Sequence, residues 1–196
     1  MFRLIAAAAA GYLVGTAPSA DLAARLATQG ATDIRAVGTG TPGAANVGAV
    51  LGKKWGYGVL VADISKGAAA AFLGRRIAGP LGAHVGGTAA VVGHCFPAWN
   101  GFRGGKGAAT SSGQCFATFP TYFPVDLGVA YAVAKWRQRP LPATVAASTL
   151  WVGVCTLAWR REWRNLWGPT PTAALPIAAA VSSSVILYRF WAAARP

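Results

Sequence analysis

Two glycine-rich segments carry the residues whose types and spacing suit the binding of an anion. Segment 1 is residues 38–46, Gly38-Thr39-Gly40-Thr41-Pro42-Gly43-Ala44-Ala45-Asn46, and segment 2 is residues 93–110, which include Phe102-Arg103-Gly104-Gly105-Lys106-Gly107-Ala108-Ala109-Thr110. Glycines without a Cβ let consecutive backbone N–H groups converge on an anion, and a helix that begins directly afterwards adds its positive dipole end. Lys106 and Arg103 would then supply full charge. The two segments together predict a phosphate site.

Better-known phosphate motifs fail on particular residues. Segment 1 matches the dinucleotide pattern G-x-G-x-x-G, and Asp63 follows Gly43 by 20 residues, but Asp63 lies in an apolar run of membrane length and not in a strand–helix–strand unit. The nucleotide-binding P-loop fails because Asn100 takes the place of its first glycine and Gly107 that of its Ser or Thr. A nucleotide-dependent enzyme is therefore not supported.

The other reactive residue types give no candidate for covalent or metal chemistry. The His-x-x-x-x-Asp pair of many lipid acyltransferases is missing, because Ala89 and Trp99 stand where the Asp would follow His84 or His94. No Ser-His-Asp or Cys-His spacing identifies a nucleophile. The three cysteines are isolated in apolar surroundings and support neither a disulfide framework nor a zinc site. The sequence thus predicts no metal and no cofactor.

The composition indicates the kind of structure that must position these segments. Of 196 residues, 54% are hydrophobic and only 12% are charged, too few charged residues to cover the surface of a soluble domain. The sequence therefore predicts an all-α polytopic membrane protein with a single domain over 1–196. The net charge of +13 is interpreted as positive-inside topology with attraction to lipid head groups. Nucleic acid is excluded as a partner because no basic nucleic-acid-binding pattern occurs.

Apolar segments long enough to cross a bilayer predict about seven transmembrane helices joined by short glycine-rich loops. Five are clear: Leu4–Leu26, Trp55–Leu73, Ile77–Pro97, Pro142–Trp159 and Ala173–Trp191. The stretch Ala108–Trp136 is too long for one span and contains Pro120 and Pro124, so it predicts two shorter helices with a turn near Thr121. A cleaved signal peptide is the alternative for the first span, because Arg3 precedes an alanine-rich run and small residues follow at 17–19.

The distribution of Lys and Arg predicts an orientation. With the N-terminus outside, the loops 27–54, 98–106 and 135–141 and the C-terminus face the cytoplasm and hold most of the positive charge. The loop after the sixth span opposes this orientation, because Arg160, Arg161 and Arg164 then lie outside. Three tryptophans are assigned to the aromatic belts at the membrane surfaces, namely Trp136, Trp159 and Trp191.

Asp63 and Lys66 are ionisable residues inside the second predicted span. They are three residues apart and therefore share one helix face, and charges at membrane depth require a partner or a polar cavity. A structural ion pair is the first interpretation, support of an active site is the second, and a place on a transport pathway is a third. His94 is either a proton-transfer residue or a packing residue at a helix end.

Segment 2 resembles the signature of a known enzyme family. Its pattern G-H-C-F-P-x-x-x-x-F-R-G-G-K-G-A-A-T resembles that of the bacterial acylphosphate:glycerol-3-phosphate acyltransferases, and segment 1 is similar to that family's G-S-G-N-x-G-A-T-N. The resemblance extends to four further stretches: Gly15-Thr16-Ala17-Pro18, Gly52-Lys53-Lys54, Asp63-x-x-Lys66-Gly67 and Leu187-Tyr188-Arg189. It covers nearly the whole chain.

The resemblance implies a seven-span enzyme that moves a fatty acyl group from acyl phosphate to glycerol-3-phosphate and forms lysophosphatidic acid. It implies membrane lipids as surroundings, the bacterial inner membrane as location and an active site on the cytoplasmic side. Lys106, Thr39 and His94 are the catalytic candidates. The substrate-binding candidates are Gly38, Gly40, Thr41, Gly43, Ala44, Asn46, Arg103, Gly104, Gly105, Gly107 and Thr110. Asp63 and Lys66 would support the site, and no cofactor or metal is implied.

Two departures from the family pattern leave alternatives open. Ala49 stands where the family has an arginine, and residues 190–193 lack the polar groups of the family's C-terminal motif. A catalytically silent relative that binds lipid or acyl phosphate is therefore the second hypothesis. A small transporter with Asp63 and Lys66 on its pathway is the third.

Overall fold

The computed structural model describes residues 1–135 and 140–194, and every regular element in these ranges is helical. The α-helices are α1 Phe2–Gly15, α2 Ser19–Thr28, α3 Ala44–Val50, α4 Lys53–Cys95, α5 Ala108–Thr118, α6 Phe123–Lys135, α7 Pro140–Arg160 and α8 Ala174–Ala192. A short 3₁₀ turn, Ala98–Asn100, follows α4. The all-α prediction is confirmed.

Most predicted spans correspond to observed helices. Helices α7 and α8 cover the last two predicted spans, and α5 and α6 divide the proline-containing stretch at residues 119–122, as the predicted turn near Thr121 requires. Trp136, predicted as an interfacial anchor, lies outside the described residues. Within those residues, three stretches are long and apolar enough to cross a membrane, namely Lys53–Asn100, α7 and α8.

The prediction of one continuous helix over Leu4–Leu26 was wrong. The chain leaves the helix after Thr16 and begins α2 at Ser19. Pro18 explains the break, because proline has no N–H to donate and its ring excludes the carbonyl of the preceding turn. The interruption frees the carbonyl of Ala17 from helical hydrogen bonding. The loop predicted for residues 27–54 also contains a helix, the seven-residue α3.

Helix α4 is a hairpin of two helices. The backbone departs from helical geometry at Ala78 and at Gly79, where φ is +67° and a side chain would be strained, and Pro80 starts the next turn. The first half (residues 53–77) and the second half (residues 80–95) run antiparallel with their backbones in contact, because a Cβ on Gly74 would overlap the carbonyl of Gly82. Two predicted spans are thereby paired.

Small residues let α1 and α5 pack closely on this hairpin. Helix α1 runs parallel to the second half, where a Cβ on Gly11 would overlap the carbonyl oxygen of Gly86. Helix α5 runs parallel to the first half, since a Cβ on Gly67 would overlap the carbonyl oxygen of Thr110 and the rings of Phe72 and Phe116 lie 6.4 Å apart further along. Such close approach is the usual basis of helix association in membranes. The end of α1, the end of α4 and the start of α5 are thus brought to one end of the bundle.

This packing predicts a difference between two glycine substitutions. Gly11→Val places side-chain atoms against the backbone of α4, whereas Gly153→Val in α7 meets open space, since no atom lies within 4 Å of its Cβ position. We expect Gly11→Val to lower the free energy of unfolding by about 1–3 kcal/mol, the usual cost of overpacking. Thermal unfolding in detergent measures the effect. Equal unfolding of the two variants would contradict the close packing of α1 on α4.

Candidate active site

A cleft opens at the end of the bundle where α1, α4 and both glycine-rich segments meet. Its wall contains residues of the α1–α2 connection, of segment 1 and of segment 2. They include Thr16, Ala17, Ser19, Asp21, Arg35, Pro42, Lys66, His94, Asn100, Gly104 and Gly105. Four predicted site residues, Lys66, His94, Gly104 and Gly105, are therefore in its lining.

The buried carboxylate of Asp63 organises the floor of the cleft. One oxygen, Oδ1, accepts a hydrogen bond from Ser19 Oγ at 2.5 Å and lies 2.9 Å from Lys66 Nζ. His94 Nδ1 lies 3.6 Å from the same oxygen. The side chain of Asp63 is only 2% exposed, so its charge needs these partners to offset desolvation. The three groups come from α2 and from both halves of α4.

Lys66 connects the ion pair to the interrupted first span. Its Nζ donates to the carbonyl oxygen of Ala17 at 3.1 Å, in addition to its contact with Asp63. That carbonyl lies in the break between α1 and α2, where it also accepts the Ser19 N–H at 3.0 Å. The family-like stretch from Gly15 to Pro18 therefore has a structural role, namely to satisfy a buried ammonium group.

Segment 1 is shaped by Asn46. The buried Asn46 side chain accepts the N–H of Thr39 at 2.8 Å and donates to the carbonyls of Ile34 at 3.0 Å and Val37 at 3.1 Å. Its amide is fully used in bracing the loop, so it holds the segment rather than facing a ligand. Gly38 and Gly40 are exposed beside it with φ values of +62° and +65°, which glycine adopts at low cost.

The exposed residues of segment 1 leave groups available to a ligand. Thr39 is exposed, and its carbonyl accepts a hydrogen bond from Thr41 Oγ1 at 3.4 Å. Gly43 has no atom within 4 Å of its Cβ position. Ala44 begins α3, whose seven residues are too few for a strong dipole. Backbone N–H groups and the Thr39 hydroxyl are therefore the binding groups that this segment offers.

Segment 2 folds back on the end of α4 and is fixed from α8. The N–H groups of Gly104 and Gly105 donate to the carbonyls of Cys95 and His94, both at 3.1 Å. Arg189 donates to Gly104 O at 2.5 Å and to Gly105 O at 3.1 Å. Sequence reasoning omitted Arg189 from the site residues, although Leu187-Tyr188-Arg189 belonged to the family-like stretches.

Lys106 lies between this loop and the start of α5. Its Nζ is 4.8 Å from the centre of the Phe190 ring, and burial together with the charge of Arg189 lowers the pKa of its ammonium group. The following residue, Gly107, caps α5 without a side-chain hydrogen bond. The first N–H groups of α5 consequently lie next to the Lys106 charge, an arrangement suited to an anion.

The two segments meet directly, as their common chemistry predicts. A Cβ on Gly105 would stand 2.7 Å from the carbonyl oxygen of Pro42 and would overlap His94 Nε2. Arg35 Nε donates to the carbonyl of Arg103 at 3.2 Å. Gly105 must therefore remain glycine, because segment 1 and His94 occupy the space where its side chain would be.

Some candidates lie apart from the cleft floor. The side chain of Arg103 is exposed, and Thr110 is fully buried with no hydrogen-bond partner for its hydroxyl among the described residues. Arg35 and Asp21, which sequence reasoning did not select, form an ion pair in the wall of the cleft, with Arg35 Nη2 3.0 Å from Asp21 Oδ2. Within the described ranges, no three His, Cys, Asp or Glu side chains are grouped to hold a metal ion.

The fold and the site define a membrane protein with a cleft, bordered by two glycine-rich segments, at one end of a helical bundle. The family model described as glycerol-3-phosphate acyltransferase matches residues 5–195. A glycerol-3-phosphate acyltransferase of Jannaschia sp. is 41% identical over 70% of this chain and 67% of its own length. Another, of Symbiobacterium thermophilum, is 34% identical over 85% of this chain and 90% of its own.

Solved structures give the same result. The crystal structure of PlsY, an integral membrane glycerol 3-phosphate acyltransferase, in its glycerol 3-phosphate form has a TM-score of 0.74 and 27% identity, and the match covers 96% of this chain and 88% of that one. Its lysophosphatidic acid form has a TM-score of 0.72 with 26% identity, over 95% and 87% of the two chains. The chain belongs to the glycerol-3-phosphate acyltransferase family, an enzyme family of the membrane.

The buried ion pair predicts the effect of removing one partner. We expect Asp63→Asn to lower the free energy of unfolding by about 3–5 kcal/mol, because it leaves the Lys66 ammonium without a counter-charge. Asp63→Asn combined with Lys66→Met is expected to recover part of that loss. Thermal unfolding measures both, with exposed Asp33→Asn as the control. An Asp63→Asn variant as stable as the control would refute the role of the pair.

Proposed function

We propose that this chain transfers a fatty acyl group from an acyl phosphate to a hydroxyl of glycerol-3-phosphate. The acyl carbon–oxygen bond to phosphate breaks, an ester bond forms, and the products are lysophosphatidic acid and inorganic phosphate. The observation that carries the proposal is the meeting of two glycine-rich segments around His94, with Pro42 of one against Gly105 of the other. The relatives' names and the two ligand forms of PlsY support the substrate class.

The reaction suits a site without a strong nucleophile. An acyl phosphate is already activated and phosphate is a good leaving group, so the protein has to bind two anions and orient them. Correct orientation of two reactants is worth roughly 7–11 kcal/mol of the barrier in favourable cases. Donors aimed at the developing oxyanion add to this.

Segment 2 is assigned to the donor phosphate. The N-terminus of α5 and the Lys106 ammonium group present positive charge from adjacent positions. Gly104, Gly105 and Gly107 allow the phosphate to approach the backbone. Arg189 is a positioning residue in this scheme, because its guanidinium group is used to fix the carbonyls of Gly104 and Gly105.

Segment 1 is assigned to the acceptor phosphate. The groups it offers are the backbone N–H groups of Gly38, Gly43 and Ala44 and the hydroxyls of Thr39 and Thr41, whereas the Gly40 N–H donates to the Val37 carbonyl at 3.1 Å. Asn46 supports this site indirectly, by holding the loop through three hydrogen bonds. Arg35, which is paired with Asp21 in the wall of the cleft, lies on this side.

We assign to His94 the role of accepting the proton of the attacking hydroxyl. Its Nδ1 faces the Asp63 carboxylate at 3.6 Å, and its Nε2 points to Gly105 between the two segments. A carboxylate beside Nδ1 favours the tautomer with the proton on that atom, which leaves the Nε2 lone pair free. The proton can pass from the hydroxyl to Nε2 and then to the departing phosphate.

A catalytically silent relative is the second candidate. Ala49 is an exposed residue of α3 without charge, and Phe190 lies beneath Lys106 at one of the positions where the family has polar groups. The missing charge at Ala49 weakens the acceptor side of the site, and the apolar Phe190 beside Lys106 weakens the donor side. A silent protein would bind acyl phosphate without transferring its acyl group.

The protein lies in a membrane, and we propose the bacterial inner membrane with the cleft facing the cytoplasm. Arg35 lines the cleft, and Lys106 and Arg189 belong to or contact segment 2 at the same end, in agreement with a cytoplasmic end under the positive-inside rule. The substrates are water-soluble at their phosphate ends, so an opening toward the aqueous compartment lets glycerol-3-phosphate enter.

Lys106 provides the most direct test. We expect Lys106→Ala to reduce phosphate release from acyl phosphate and glycerol-3-phosphate by roughly 10²–10³-fold, the usual cost of a lost electrostatic donor. Lys54→Ala is the control, because Lys54 is exposed at the start of α4. Equal rates for the two variants would contradict the assignment. A wild-type protein without activity toward any polyol phosphate would favour the silent candidate.

The lowered pKa of Lys106 predicts a pH dependence. The ammonium group is charged below its pKa, so donor binding should hold at neutral pH and weaken as the pH rises through a pKa below the ordinary lysine value. Measurement of kcat/KM for acyl phosphate against pH shows this alkaline decline. We expect Lys106→Arg to move it to higher pH, because arginine stays protonated. An unchanged profile would exclude Lys106 as the titrating group.

A further inference from the structure

The loop between α7 and α8 presents a surface that the proposed reaction does not use. Its residues 160–167 are here named the basic aromatic loop. The loop lies beyond the end of α5 opposite Lys106, because Trp167 Nε1 donates to the Phe116 carbonyl at 3.1 Å and Thr121 Oγ1 donates to the Arg164 carbonyl at 3.0 Å. It is therefore at the end of the bundle opposite the cleft.

Cations and large apolar side chains alternate on this loop. The exposed cations are Arg160, Arg161 and Arg164, and Glu162 is the one acidic residue of the loop. Among them, Trp163 is 39%, Leu166 70% and Trp167 47% exposed. A folded protein gains nothing from exposing these apolar groups to water, whereas the interface of a bilayer accommodates tryptophan and leucine beside arginine.

Hydrogen bonds from two side chains hold the loop in this arrangement. Asn165 Nδ2 donates to Thr118 O at 2.9 Å and to Pro169 O at 2.5 Å, and Arg75 donates to Trp167 O at 2.6 Å. The loop is thus attached to α4 and to α5 as well as to its own end.

Two residues of the loop adopt a costly backbone conformation. Glu162 has φ +51° and Leu166 has φ +40°, values that non-glycine residues adopt at a cost of about 1 kcal/mol or more. Leu166, which has this conformation, is also the most exposed of the three apolar residues of the loop. Surrounding hydrogen bonds, and not the residues' own preference, maintain this strained geometry.

We propose that the basic aromatic loop binds anionic phospholipid head groups in the leaflet opposite the cleft. Helices α7 and α8 have the length and composition of membrane spans, so the loop that joins them lies where a bilayer ends. Guanidinium groups match a lipid phosphate bidentately. The +3 charge of the three arginines against −1 from Glu162 selects an anionic head group over a zwitterionic one. The indoles and Leu166 enter the adjacent acyl region.

The test places a reporter on the loop in the full-length protein. Leu166→Cys is labelled with an environment-sensitive thiol fluorophore, while Cys95, Cys115 and Cys155 are buried, and unsubstituted protein gives the background. The protein is placed in nanodiscs of phosphatidylcholine with increasing phosphatidylglycerol. We expect a blue shift and protection from an aqueous quencher as the anionic fraction increases, and loss of both at high salt.

A charge-matched pair of variants makes the test specific. Replacing Arg160, Arg161 and Arg164 by Gln is expected to raise the phosphatidylglycerol fraction at half-maximal shift about threefold or more. Replacing the exposed Arg25, Lys53 and Lys54 by Gln removes equal charge from the other end and should leave it unchanged. The same label on Trp163→Cys gives an independent reading.

Three outcomes would overturn the proposal. The first is the same emission in neutral and anionic discs, and the second is an arginine variant that behaves as the wild type does. The third is burial of the label that requires a second protein and is independent of the lipid, which would make the loop a protein-docking surface. None of these measurements depends on acyl transfer, so they are separate from the test of the proposed function.

Discussion

The interaction between Asp63 and Lys66 is the constraint on which the site depends. A carboxylate that is 2% exposed and an ammonium group that is 8% exposed lie 2.9 Å apart within the helical hairpin. Each has a second partner from the interrupted first span, Ser19 for the carboxylate and the Ala17 carbonyl for the ammonium group. Because unpaired charges are so costly in an apolar interior, the pair fixes the position of α1, α2 and α4 relative to one another. His94, facing the same carboxylate, is positioned by this network.

The long apolar segments of the sequence predicted most of the helices. The break between α1 and α2 and the short helix α3 were not predicted. Hydrophobic length alone located α7, α8 and both halves of α4, since a bilayer requires long apolar runs. The break before Pro18 was missed because apolar residues continue on both sides of it. Helix α3 was missed because seven residues are too few to show a periodic pattern. In both places, backbone polar groups outside a regular helix form hydrogen bonds with side chains from elsewhere in the chain. Such distant partners cannot be identified from the local sequence.

The candidate site shows the same division between local and distant information. The glycine-rich segments and Lys106 were identified from neighbouring residue types, which reflect backbone geometry and charge. Asn46 was predicted to contact a ligand, whereas its side chain donates to the carbonyls of Ile34 and Val37. Those partners depend on how the loop closes, which the local sequence does not show. Arg189 lies 85 positions from Gly104 in the sequence. Only the packing of α8 on α4 therefore shows that Arg189 fixes segment 2.

The three-residue spacing of Asp63 and Lys66 also bears on how the chain enters its membrane. Both residues lie within one turn of a single helix, so their charges can neutralise one another as soon as that turn emerges during synthesis. The translocation machinery then meets a near-neutral segment and not two separate charges, which lowers the barrier to lateral release into lipid. Ser19 and Ala17 belong to a part of the chain made earlier. The polar network can therefore be completed at once, before α5 and the rest of the protein have been synthesised.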